Sequence, residues 1–156
     1  MFGKGWAETK PEISRLDLSD LNQVYHLDQV CFAQPLAFPK HFFLYLLVAP
    51  DCVSFGIKTD TKLKGFIIIQ IKNQARAQLI TLDIAPDQRR KGIGKKLLEF
   101  AHYFLKDRGI KEIFLETAVN NQPAISLYKK MGYQSLKTIK NYYPDGTDAI
   151  RMEKKL

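Results

Sequence analysis

The stretch Thr81-Leu-Asp-Ile-Ala-Pro-Asp-Gln-Arg-Arg-Lys-Gly-Ile-Gly-Lys-Lys-Leu-Leu98 constrains this chain more than any other. It reads as a buried strand, a sharp turn dense in cations, and the first turns of an amphipathic helix. A helix start carries partial positive charge, so each misplaced cation there costs about 0.3 kcal/mol or more. Arg89, Arg90, Lys91, Lys95 and Lys96 nevertheless crowd that end. An anion from outside the chain would account for the crowding. Gly92 and Gly94 leave the backbone bare, so that a phosphate can approach the free N–H groups. The expectation is a strand–loop–helix that grips a polyphosphate.

The chain has 156 residues, enough for one domain with a full core, and residues 11–156 are read as that domain behind a flexible lead at 1–10. With 46% apolar and 26% charged residues, the mixture is that of an ordinary globular protein. No apolar run reaches the roughly 18–20 residues that cross a bilayer, the longest candidate being Phe42 to Ala49. The N-terminus lacks the charged-then-apolar order of a signal peptide. Cys31 and Cys52 lack metal-ligand spacing and are expected to be free thiols in a reducing cytoplasm. The net charge of +8 raises the prior for a nucleic acid, a ribosome or a polyanionic ligand, against a merely lysine-rich surface.

In chain order, Ile13–Leu18 alternates weakly and predicts a first strand. Ser19 suits a helix N-cap, followed by helical apolar spacing through Leu21, Val24, Leu27 and Cys31. Pro39 opens a second short helix over 40–49. The runs 53–58 and 63–71 predict a hairpin, with Gly65-Phe-Ile-Ile-Ile-Gln-Ile71 apolar on both faces and therefore central. A strand at 77–85 leads into the helix that begins near Gly92, with Ile93, Leu97, Leu98, Ala101, Phe104 and Leu105 as its buried stripe and Gly109 as its stop. Another strand follows at 111–117. Then comes a short helix opened by Pro123, with Ala124, Leu127, Tyr128 and Met131 on one face. A last hairpin spans 133–143 and 149–156 around Pro144-Asp145-Gly146. This order specifies an α+β domain built on a mixed sheet.

Three phosphate loops compete for Gly92-Ile-Gly94. A dinucleotide fingerprint needs a third glycine where Leu97 stands, and a mononucleotide P-loop needs glycine at Arg89 and Ser/Thr at Lys96. The third pattern, Arg/Gln-x-x-Gly-x-Gly/Ala after a strand, is met by Arg89-Arg-Lys-Gly92-Ile-Gly94. With Phe114-Leu-Glu116, Asn121 and Ala124-Ile-Ser-Leu-Tyr128-Lys-Lys-Met-Gly132-Tyr133 it resembles the acyl-CoA-dependent N-acetyltransferases of the GNAT superfamily. The resemblance is close over about residues 77–152. It implies the GNAT (acyl-CoA N-acyltransferase) fold, a mixed central sheet of about seven strands with about four helices. It also implies acetyl-CoA as cofactor. The pyrophosphate would lie on Arg89, Arg90, Lys91, Gly92, Ile93, Gly94 and Lys95. The pantetheine arm would run along Leu82, Asp83 and Ile84, in a splay beside the 111–117 strand, with Asn121 contacting it. No metal is expected, and none is suggested by His26, His41 or His102.

The tail Asn141-Tyr-Tyr-Pro-Asp-Gly-Thr-Asp-Ala-Ile-Arg-Met152 resembles the ending of protein Nα-acetyltransferases, the group that includes the bacterial ribosomal-protein-alanine acetyltransferases. That resemblance implies substrate contact by Tyr142 and Tyr143. Phe32-Ala-Gln-Pro35 resembles the group's Phe-x-x-Pro-Trp element, with Leu36 in the tryptophan place. Glu116 matches the general base and Tyr128 the general acid. The competing readings are an ion pair with a lysine for Glu116 and a core aromatic for Tyr128.

Chemistry agrees with an N-terminal acceptor. Near pH 7.4 roughly a fifth of α-amines are neutral, against about one in a thousand lysines, so one carboxylate is a sufficient base. A backbone N–H at 82–84 is the expected oxyanion donor. Tyr128 would donate to the leaving thiolate, and neither cysteine is needed, so transfer is expected to be direct within a ternary complex. The expected partner is a protein N-terminus, for example of a ribosomal protein, in the cytoplasm, with no membrane and no requirement for nucleic acid. The alternatives are another amine (a protein lysine, a polyamine or an aminoglycoside), or a basic RNA- or ribosome-binding module on the same fold.

Overall fold

The computed structural model describes residues 12–156; the lead expected at 1–10 lies outside them. Among these described residues, seven strands form one sheet in the order β1-β2-β3-β4-β5-β7-β6. They are β1 Glu12–Arg15, β2 Cys52–Thr59, β3 Lys62–Ile71, β4 Arg76–Ile84, β5 Glu112–Ala118, β6 Gln134–Ile139 and β7 Ala149–Lys155. Four α-helices accompany them: α1 Leu21–Cys31, α2 Lys40–Val48, α3 Ile93–Asp107 and α4 Gln122–Lys130. Every pairing is antiparallel except that of β4 with β5. Both the fold class and the element counts match the expectation.

The apolar run of β3 explains how the layers assemble. Phe66, Ile67, Ile68 and Ile69 are all fully buried. Successive side chains of a strand point to opposite faces. Ile67 and Ile69 accordingly join α3 and α4 in one core, while Phe66 and Ile68 join α1 and α2 in the other. The α3 stripe is as expected: Ile93, Leu97, Leu98, Ala101 and Leu105 are buried and Phe104 packs beside them. Each such leucine contributes about 1.5–3 kcal/mol by leaving water. Gly109, at φ +79°, ends the helix, and the Ile110 N–H reaches back to the Leu105 carbonyl at 3.0 Å.

Three local expectations are corrected. The first strand stops at Arg15 rather than Leu18, because Leu18–Asp20 turns into a 3-10 helix. Ser19 is not a cap. Asp17 outcompetes it, accepting from the Ser19 N–H at 2.8 Å and its hydroxyl at 2.5 Å, and closes a capping box with Asp20. Pro123 sits at the second position of α4, not the first, and Asn121 caps that helix.

Candidate active site at the β4–β5 seam

β4 and β5 pair only from Arg76↔Glu112 to Gln78↔Phe114; beyond that β4 runs on to Ile84 and β5 to Ala118 without touching as a ladder. A bulge in β4 helps part them. Ile68 faces Thr81 while Ile69 faces Leu79, which leaves Ile80 as the extra residue. Leu79, Leu82 and Ile84 then face the α3 core, and Ile80 faces the other. The Ala85 N–H donates to the Lys64 carbonyl on β3 at 2.9 Å. Main-chain groups alternate along a strand, so those of Leu82 and Ile84 turn to the open seam. The expected splay is present, with an unpaired strand edge along it. The Ile84 carbonyl already accepts from the Cys31 thiol at 3.3 Å and from Arg89 Nε at 3.4 Å.

The loop from β4 to α3 lies at one end of the seam. Arg90 and Gly92 take left-handed φ values of +62° and +82°. The first bond of α3 runs from the Lys96 N–H to the Gly92 carbonyl at 3.0 Å, and no side chain caps that end. The N–H groups before Lys96 therefore have no helical acceptor. A cavity of about 790 Å³ opens on them, lined by Leu82, Asp83, Ile84, Arg89, Arg90, Gly92, Ile93, Gly94, Lys95 and Asn121. These are all but one of the residues expected to hold the cofactor; Lys91 is not in its wall. The two glycines serve different needs. A Cβ on Gly92 would meet nothing within 4 Å, so φ makes the demand there, whereas one on Gly94 would come within 3.1 Å of Leu127 on α4. Cys31, Gln88, Ser126 and Lys130 also line this cavity. Cys31 stands outside every motif, whereas Gln88 falls inside the 81–98 stretch and Ser126 and Lys130 inside the 124–133 stretch without a role being read for them. Free N–H groups beside Arg89, Arg90, Lys95 and Lys130, continued by an open strand edge, fit a polyphosphate with an extended arm.

A second cavity of about 420 Å³ adjoins the first across shared walls of Cys31, Phe32, Leu82, Asn121, Ala124 and Tyr128. Glu116 on β5 opens into it. Arg151 on β7 stands directly opposite Glu116 in the ladder and gives its Oε1 two hydrogen bonds, from Nε at 2.9 Å and Nη2 at 2.6 Å. Gln78 Nε2 binds Oε2 at 2.8 Å. The Glu116 side chain is only 4% exposed. Its ion-pair partner is thus an arginine, not a lysine as weighed from the sequence. The Arg151 guanidinium also lies 5.3 Å from the Phe114 ring centre, which helps to fix it.

Tyr128 is both a core residue and a wall of both cavities: it is 6% exposed and contacts Tyr133 edge-on. Burial, and then the neighbouring Asp83, push its phenol well above the ordinary tyrosine range. Its O–H is therefore a donor at any physiological pH. Tyr143 lines the second cavity and is pushed up in the same way. Tyr142 stacks edge-on to it at 4.9 Å but lies in neither cavity wall and is 45% exposed. Phe32 lines both cavities. Asn121 lines both while its side chain accepts from the Ala124 N–H at 3.4 Å to cap α4.

The histidine and cysteine side chains offer little reactivity, although Cys31 stands in the walls of both cavities. Among the described residues no cluster of His, Cys, Asp and Glu could hold a metal ion. His102 bonds the Tyr133 hydroxyl at 2.7 Å, and burial depresses its imidazole to about 4. Cys31 and Cys52 are free, and burial raises each thiol to about 11. Among the described residues no helix is long and apolar enough to cross a membrane.

Comparison with known proteins agrees with this geometry. A sequence model of the acetyltransferase (GNAT) family matches residues 21–133. The [ribosomal protein bS18]-alanine N-acetyltransferase of Escherichia coli K12 is 34% identical over 90% of this chain and 94% of its own. An N-alpha-acetyltransferase of Sulfurisphaera tokodaii is 29% identical over 86% and 87%. Among solved structures, the ribosomal-protein-S18-alanine N-acetyltransferase from Escherichia coli superposes with a TM-score of 0.84 at 31% identity, covering 92% of each chain.

Proposed function

Because this chain belongs to the acetyltransferase (GNAT) family, we propose that it acetylates the N-terminal α-amine of a protein, a ribosomal protein being the favoured class, with acetyl-CoA as donor. The observation that carries this reading is the meeting of two unlike cavities. One is cationic and rich in free N–H groups; the other is small, aromatic and supplied with one carboxylate, and Tyr128 stands in both walls. Relatives named for N-terminal acetylation at about 30% identity over most of the chain support the choice of acceptor. On this reading the protein works in the cytoplasm.

Acetyl-CoA, when bound, supplies an acyl group activated as a thioester. The N–H groups at the start of α3, with Arg89, Arg90 and Lys95, hold its phosphates, and the open edge at Leu82 and Ile84 holds its arm. Glu116 takes the proton of the incoming amine. A carboxylate offers about four lone pairs; Arg151 engages two on Oε1 and Gln78 one on Oε2. The remaining Oε2 position is the one open to an amine or to a water in front of it. The Tyr128 hydroxyl, held protonated, gives its proton to the departing sulfur. Tyr143 and Phe32 flank the acceptor. Neither cysteine takes part, in keeping with thiols held neutral to about 11.

Thiol release from acetyl-CoA tests the reading. Peptides with a free N-terminus should drive it, that of ribosomal protein S18 included. The same peptides blocked at the N-terminus but carrying lysine, and polyamines, should not. Faster release with blocked peptides or polyamines would transfer the assignment to another amine.

A further inference from the structure

Of three buried aspartates among the described residues that the mechanism does not use, Asp20 is paired with Lys58 and two are not paired with any cation. Asp28 on α1 is 0% exposed and Asp83 on β4 is 1% exposed. One oxygen of each is satisfied: Asp28 Oδ2 accepts from the Phe38 N–H at 2.7 Å, and Asp83 Oδ1 from the Thr81 hydroxyl at 2.5 Å. Among the described residues, Asp28 Oδ1 and Asp83 Oδ2 have no partner. α1 packs on β4 at this point, with the Cys31 thiol 3.3 Å from the Ile84 carbonyl, and each carboxyl group acts on the other's ionisation. Two orphaned acceptors side by side are costly, and two adjacent charges cost more. One proton between them removes both penalties, because a protonated carboxyl is a donor.

We propose that Asp28 and Asp83 share a single proton, and that this pair is a positioning device that ties the acceptor wall to the donor strand. Asp83 stands between Leu82 and Ile84, the residues whose main chain borders the seam. Asp28 holds the Phe38 N–H, and its neighbour Gln29 holds the Phe38 carbonyl at 3.0 Å. Leu36 and Phe38 line the second cavity. With the proton, α1 and its loop are bonded to β4; without it, two like charges press them apart. The titratable and charged groups turned to the pair are few. Cys31 on α1 is uncharged below about 11, Arg89 offers the one opposing charge, and Tyr128 on α4 is neutral. Asp83 is held well above the usual carboxylate range, chiefly by burial and then by Asp28; Asp28 is raised by burial.

In the unfolded chain both groups ionise near the ordinary value of about 3.9. The folded protein therefore carries an extra proton above that pH. Stability falls as pH rises from there through the folded pKa of the pair. An asparagine at position 83 mimics the shared proton permanently: its oxygen accepts from Thr81 and its amide donates to Asp28.

The test is thermal unfolding of the wild type, Asp83→Asn and Asp83→Ala between pH 5 and 9. The melting temperature of Asp83→Asn should gain on wild type by about 3–5 °C for each pKa unit by which the pair is raised. Asp83→Ala, which orphans Asp28, should melt below both. Parallel wild-type and Asp83→Asn curves, or an Asp83→Ala protein as stable as Asp83→Asn, would overturn the shared proton. Asp28→Asn is the mirror variant should Asp83→Asn fail to fold. The peptide KM provides the positioning readout: its ratio, wild type over Asp28→Asn, a variant outside both cavity walls, should rise with pH, while the kcat ratio stays flat. A flat KM ratio overturns the positioning role. This second readout rests on the smaller cavity being the acceptor side; the melting curves do not, so either can fail alone.

Discussion

The two halves of the site are built from different materials. The donor half is mostly backbone: left-handed turns at Arg90 and Gly92, uncapped N–H groups, and a strand edge without a partner. The half proposed to take the acceptor is side chains: Phe32 just past α1, Phe38 from the loop before α2, Glu116 from β5, and Tyr143 from the β6–β7 loop. A backbone site is specified locally and leaves a contiguous motif. A side-chain site is specified by strand register and helix packing, which scatter its members along the chain. Altering one half should leave the affinity of the other intact.

The sharpest probe is Glu116→Gln. Turnover should fall about 10²–10⁴-fold, as for loss of a general base, with the dissociation constant for CoA unchanged by calorimetry. Equal losses in both would show that the halves are not separable. Tyr128→Phe, at the boundary, should cost about a hundredfold in transfer rate, again at constant CoA affinity. Unchanged turnover would leave Tyr128 with its core role alone. Gly92→Ala reverses the pattern. Forcing a Cβ into φ +82° costs about 1 kcal/mol, so CoA should bind roughly fivefold more weakly while the peptide KM stays put. Tyr142→Ala, at an exposed position outside both walls, should change kcat/KM by no more than about twofold, the reach of a typical surface substitution. A larger loss would extend the acceptor half to the outer face of the loop.

Legibility follows the same division. The fold order and the α3 stripe could be read from period and punctuation, and the anion grip from its misplaced cations. Lys91, expected beside Arg89 and Arg90, is not in the cavity wall, since crowding in sequence does not say which of three adjacent side chains turns to the cavity. Glu116 is singled out in the sequence by the resemblance, but its partner Arg151 is not. The two become opposite only once β5 is paired with β7 in its observed register. Asp83 looked like one more residue of the cofactor strand. Its contact with Asp28 depends on the bulge at Ile80, which turns Thr81 and Asp83 to the α1 side, and no local pattern announces that bulge.

The short join between β4 and β5 bears on how long the protein lasts. Three register pairs hold these strands, against seven between β3 and β4. Beyond Gln78 and Phe114 the sheet has no ladder across the seam, so local opening is easiest there. A ligand lying in the seam stabilises the folded chain by mass action, by about 2.7 kcal/mol at a hundred times its dissociation constant. Proteolysis of transiently opened molecules tracks that same free energy. Emptying the seam of ligand would therefore leave the folded chain easier to open and to cut.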